Sequence, residues 1–153
     1  SLLSNDPDID QLLNGYKGEL LSLDYEARRL NLNTSSLVHK SLISAKFGYD
    51  IQSFLDEKNL TIKIAIEVKT IQNTSNIIYL TRNEINTSKY ETNYFFHIWK
   101  FKKAGAELYV MKNDELAIHF PNEKGSGQVE TISIDLTDIL EQIKPSFNIK
   151  KVN

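Results

Sequence analysis

A chain of 153 residues with 41% hydrophobic and 25% charged side chains is of a size to fold as one soluble domain around one sizeable core. A net charge of −2 argues against adhesion to nucleic acid by bulk charge alone, so any such contact has to use local patches or a partner domain. The absence of cysteine excludes a disulfide framework and a thiolate metal site. No apolar run approaches the roughly 20 residues of a membrane helix, and the start Ser1-Leu2-Leu3-Ser4-Asn5-Asp6 lacks the basic region and apolar core of a signal peptide. A cytoplasmic protein away from membranes, and part of a longer chain because it starts without Met, is the expectation.

Asp8–Leu13 reads as a short acidic helix after Pro7, interrupted by Asn14-Gly15. Tyr16–Leu32 reads as the main helix: Leu20, Leu21, Leu23, Ala27 and Leu30 form an apolar stripe, with Glu26, Arg28 and Arg29 toward the outside. Leu37–Ile43 suggests irregular structure with a short strand. Tyr49–Leu55 is a strand, Asp56-Glu57-Lys58-Asn59 a polar turn, and Leu60–Thr70 a second strand. Ile62, Ile64, Ile66 and Val68 take one face of that strand for a core, and Thr61, Lys63, Ala65, Glu67 and Lys69 make the other a polar face. Gln72–Asn76 is a loop and Ile77–Leu80 a third strand. Thr81-Arg82-Asn83-Glu84 has the form of a capping box and predicts a helix to about Tyr90. Asn93–Phe101 is an aromatic strand, suited to core and sheet packing more than to stacking on bases. Glu107–Met111 is a further strand, 123–128 a loop around Gly125-Ser126-Gly127, and Val129–Ile134 a last strand. Asp135 can cap a final helix to about Lys144, which Pro145 helps to end.

The order of elements gives an α/β (α+β) fold, a mixed sheet flanked by helices, with a small β/α extension over about 102–153. A turn centred near Glu57–Asn59 pairs residues whose numbers sum to about 117, from hairpin geometry. Asp50 then falls opposite Ile66 or Glu67, and Glu67 and Lys69, two apart on one strand, point the same way. Two carboxylates and an ammonium converging at one place can hold a divalent metal and activate water. The bland alternative is a turn-ending Asp50 and a solvated Glu67–Lys69 ion pair. No P-loop, Gly-x-Ser-x-Gly, cysteine nucleophile or histidine pair at metal spacing supplies a rival chemistry. His39, His97 and His119 are too scattered to be read as ligands, and the lysines at 100, 102, 103, 150 and 151 read first as solvated ends.

Gly18-Glu19, Gly48-Tyr49-Asp50-Ile51-Gln52-Ser53-Phe54, Ile66-Glu67-Val68-Lys69-Thr70, Leu80-Thr81-Arg82-Asn83-Glu84 and Asn93-Tyr94-Phe95 carry a family likeness. In this order they resemble the PD-(D/E)xK nuclease superfamily with its restriction-endonuclease-like αβββαβ core, here over about 15–101. More closely, they are similar to the NO VEIN-type C-terminal domain of restriction and phage-defence proteins. Tyr49 stands where the superfamily name has proline. The resemblance implies an endonuclease, a hydrolase that depends on Mg²⁺ (Mn²⁺ as substitute). In it Asp50 and Glu67 bind the metal with the Val68 carbonyl, Lys69 orients or deprotonates the attacking water, and Glu19 matches the helical acid aimed at the metal. It further implies double-stranded DNA as substrate, other domains of a parent protein, and a homodimer where both strands are cut. A catalytically inactive nuclease-fold module that binds protein or nucleic acid is the alternative.

Overall fold

The structure, a computed structural model, describes residues 7–72, 74–122 and 130–150. In chain order these form α1 (Pro7–Leu30), β1 (Val38–His39), β2 (Ile51–Asp56), β3 (Asn59–Gln72), β4 (Ile77–Thr81), α2 (Arg82–Tyr90), β5 (Tyr94–Lys102), β6 (Gly105–Lys112), α3 (Asn113–Ala117), β7 (Thr131–Asp135), α4 (Thr137–Gln142) and β8 (Phe147–Lys150). A six-stranded sheet runs in the order β1-β2-β3-β5-β6-β8, and β4 and β7 make a separate antiparallel pair. The large sheet is antiparallel except for β3 and β5, which run parallel because β4 and α2 form the crossover between them. The mixed, helix-flanked architecture expected from the order of elements is what folds.

The hairpin register is the one expected. Ile51 pairs with Ile66 and Gln52 with Ala65, both summing to 117. The polar turn closes because the Asp56 side chain accepts from the amides of Lys58 and Asn59, an Asx-type turn.

Three readings change. Asn14-Gly15 does not interrupt the first helix, which is continuous through it. One helical glycine costs only about 1 kcal/mol, less than breaking two turns. Glu26 and Arg29 are not on the outside: Glu26 is 1% exposed, while Leu20 is 44% exposed. Positions 23, 26, 27 and 30 share the inner arc at helical spacing. Arg29 makes burial of the acid possible with two 2.7 Å bonds to it, and also donates to the carbonyls of Phe54 and Leu55.

The third change concerns β3, whose polar face is covered from Ala65 to Lys69 while Thr61 and Lys63 stay exposed. Ile64, Ile66 and Val68 pack with Leu23, Ala27 and Leu30 of α1 and with Trp99 in one core. Ala65, on the opposite face, packs in a second core with Tyr94, Phe96 and Ile98 of β5 under Leu80 of β4, Ile85 of α2 and Ile132 of β7. β4, the strand expected over Ile77–Leu80, therefore stands outside the large sheet and, with β7, roofs its other face. The segment after residue 101 builds into the same body, β6 and β8 extending the large sheet. The final helix covers Thr137–Gln142, and Asp135 accepts from the Thr137 amide and hydroxyl at its start. The glycine-containing loop at 123–128 and the first residue of the strand expected from Val129 lie outside the described residues.

Candidate active site

β2 pairs with β3 only as far as Ile66, and the chain just before β2 bends across the edge of β3. Gly48 makes this bend. It is left-handed (φ 73°), and a Cβ there would lie 2.1 Å from the Thr87 hydroxyl of α2, so a side chain is excluded on both counts. The buried Tyr94 hydroxyl donates to the Gly48 carbonyl at 2.7 Å. Two residues on, the Asp50 amide donates to the Ile66 carbonyl (2.9 Å), and its carboxylate accepts from the Val68 amide (2.8 Å). Asp50 is thereby locked beside Glu67, as the hairpin arithmetic requires.

Glu67 is 2% exposed. Lys69, from the same face of β3, lies 3.2 Å from Glu67 Oε2 and 2.9 Å from Glu84 Oε1. The expected capping box is present: the Thr81 hydroxyl accepts from the Glu84 amide, and Glu84 Oε1 accepts from the Thr81 amide at 3.0 Å. One carboxylate oxygen thus caps α2 and anchors Lys69.

Glu19 reaches the same region from α1. Its Oε1 meets His39 Nε2 at 2.8 Å and accepts from the Ser41 hydroxyl. Tyr16 stacks on the His39 ring.

The electrostatics are those of crowded acids. Burial, then the charge of Glu19, push the Asp50 carboxyl up to about 6, against the opposing pull of the Val68 amide and Lys69. Burial also raises Glu67 well above the carboxylate range; Lys69 opposes this, and Asp50 and Glu84 add to it. Burial alone would lower Lys69, but Glu67 and Glu84 outweigh it and hold the ammonium up at about 12.

The structure therefore brings together Asp50, Glu67 and Lys69, with Glu19 close enough to Asp50 to raise it. Among the described residues no group of three or more histidine and acidic side chains stands in an arrangement ready to enclose a metal. The sequence reading missed Glu84 as the second partner of Lys69, and His39 and Ser41 as the clamp on Glu19. The capping-box glutamate in the first turn of a helix was the available sign for Glu84; nothing in the sequence pointed to His39 or Ser41. His97 is buried on the far face, its Nδ1 2.9 Å from the Ser22 hydroxyl. No helix among the described residues is long and apolar enough to cross a membrane.

The family described as Protein NO VEIN, C-terminal matches residues 18–111, a span that runs from Gly18 beside Glu19 through β6. No curated protein and no solved structure matches the chain.

Proposed function

The chain belongs to the NO VEIN C-terminal family, and from that premise we propose that it is a metal-dependent endonuclease domain of the PD-(D/E)xK type, cutting DNA in a cytoplasmic restriction or phage-defence protein. The observation that carries the reading is the convergence of Asp50, Glu67 and Lys69 at the fork of β2 and β3. Acids raised by burial and then by one another's charge are a donor set that a hard divalent cation would relieve. Mg²⁺ keeps several of its own waters, so two carboxylates are enough to bind it, and the residues fit the ion.

Asp50 and Glu67 would hold the metal, with the Val68 carbonyl and Glu19 as further oxygen donors. Bound there, Mg²⁺ supplies Lewis-acid stabilisation of the charge that builds on a phosphodiester under attack. The protein's own groups do the rest. The Val68 amide fixes the Asp50 carboxylate. Lys69, kept protonated by its two acids, orients the attacking water and screens the phosphorane. Glu84 holds the ammonium in place. Cleavage of both strands of a duplex calls for a homodimer or a second nuclease domain.

A plasmid-cleavage assay with Mg²⁺ or Mn²⁺ tests this. Lys69→Ala and Asp50→Ala should each lose at least about a hundredfold in rate, the scale of a positioned acid or base. Variants that cut like the parent sink the assignment.

A second reading has its own observation. Lys69 is already paired to two carboxylates and Glu67 is closed off, as in a nuclease fold kept as an inactive binding module. Calorimetry separates the two: no heat with Mg²⁺ or Mn²⁺, alongside tight binding to a partner chain, favours the module.

A further inference from the structure

Resting on the nuclease reading, we infer that the groove along the amino-terminal half of α1 is the track of the nucleic-acid strand leaving the cleavage site, with Lys17 and Lys103 as its phosphate contacts. Two depressions make it. One, of about 600 Å³, lies between α1 and the β5–β6 turn and is lined by Lys17, Phe101, Lys102 and Lys103. The other, of about 380 Å³, runs along the edge of β3 past Thr70 and Gln72 to Tyr79. Asp10, Asn14 and Gln72 line both, so the two are continuous.

The track meets the site at the edge of β3, where Thr70 follows Lys69 with its side chain toward α1 and those of Glu67 and Lys69 on the opposite face. Gln72 lies three residues beyond Lys69 on β3, roughly 10 Å at the strand rise. That distance is about three nucleotides along one strand of duplex DNA. Beyond Ile66 the edge of β3 is not paired with β2; Asp50 is bonded to it at Val68 and Ser75 bridges it at Gln72, so the edge leads from Asp50 past Thr70 to Gln72.

The charges suit a polyanion. Lys17 holds its ammonium 5.3 Å from the centre of the Phe101 ring, which fixes its position over the groove. Lys17 and Lys103 are exposed, and among the described residues neither is paired with a carboxylate. The acid at the rim is Asp10; Glu107 is neutralised by Lys102. Asn14, Gln72, Thr70 and Ser75 add amides and hydroxyls beside the apolar Leu13, Leu21 and Ile149, the polar ones being of the kind that position a backbone without reading bases. With an overall charge of −2, any grip of this chain's own on DNA has to come from such a local patch.

Anisotropy of a short fluorescent DNA duplex in EDTA, repeated across a salt series, tests this without any cleavage. The double variant Lys17→Ala/Lys103→Ala should lower the slope of log affinity against log salt by about 1.8, two phosphate contacts' worth. Lys58→Ala/Lys63→Ala, in the β2–β3 hairpin, should leave it unchanged. An unchanged slope in the first variant, an equal loss in both, or a parent that binds polyglutamate but no DNA overturns the inference. A parent that shows the slope change yet does not cut with Mg²⁺ upholds the track and sinks the nuclease reading. A parent that cuts while the Lys17/Lys103 variant keeps its slope does the reverse.

Discussion

β3 and β5 carry a buried polar cluster on each face, and the two are built on opposite plans. Under α1, Trp99 Nε1 donates to the Ser22 hydroxyl at 2.8 Å and that hydroxyl meets His97; nearby, Glu26 is matched by Arg29 through two bonds. Every charge there has its counter-charge, and the histidine is kept neutral, its pKa brought down to about 4 mainly by burial. On the other face Asp50, Glu67 and Glu84 crowd around Lys69, three acids to one ammonium. Buried polar groups that only hold a fold tend to be mutually satisfied. A cluster left with surplus charge costs stability, and such surplus gathers where a ligand or a reaction uses it. On the reading proposed above, the balanced cluster under α1 holds the fold and the unbalanced one on the α2 face, reached from α1 by Glu19, is where the chemistry would be done.

The largest test of that contrast is Lys69→Met. Removing the ammonium strands buried acids, and the metal-free protein should lose about 3–5 kcal/mol in urea unfolding at pH 8. Mg²⁺ should restore more stability to this variant than to the parent; equal responses would mean that the acids do not share a cation site.

His97 predicts the opposite pH dependence for its own face. With a folded value near 4 against an ordinary 6.5, its penalty is absent above pH 6.5 and grows as pH falls toward 4. It should reach about 3 kcal/mol there. Melting curves of His97→Phe should lack this acid-side loss.

Asp50 behaves in reverse. Its folded value of about 6 lies above the ordinary carboxyl value, so the cost is fully present above pH 6 and disappears as pH falls below about 4. Asp50→Asn should therefore stabilise the metal-free protein at pH 8 by about 3 kcal/mol while abolishing cleavage. Loss of stability instead would place Asp50 among the merely structural groups.

Ser22→Ala, which leaves the Trp99 donor and His97 without their shared hydroxyl, should cost about 2 kcal/mol and leave cleavage unchanged. The smallest effect belongs to Thr81→Ala, about 1 kcal/mol for a lost cap. Because Glu84 in the same box holds Lys69, some loss of rate should accompany it.

What could be read in the sequence was periodic or local. Strand alternation and hairpin arithmetic put Asp50 beside Glu67, and the box at Thr81–Glu84 announced α2 to the residue. What escaped reading needed the third dimension. Glu26 has the look of a surface charge until Arg29, itself held by two strand carbonyls, pairs with it. The covered face of β3 depends on β7, more than sixty residues away, pairing with β4. The clamp of His39 and Ser41 on Glu19 joins a helix to an irregular segment about twenty residues on, and no periodicity links them. Asn14-Gly15 misled because glycine as a turn signal outweighs, in sequence, a helix held by its packing.

Gly18 gives the site a dimension that no charge in it specifies. A Cβ there would lie 2.5 Å from Thr70 Cγ2 and 3.3 Å from Val68 Cγ1, so α1 rests directly on the strand that bears Glu67 and Lys69. The missing methyl group works as a gauge of zero thickness: it sets how deep the helix seats, and the next residue along is Glu19. Any bulkier side chain at 18 acts as a shim, lifting Glu19 away from Asp50 while changing neither. Which residue is tolerated at 18 thus measures how finely the spacing between helix and strand must be kept, a quantity of fit and not of chemistry.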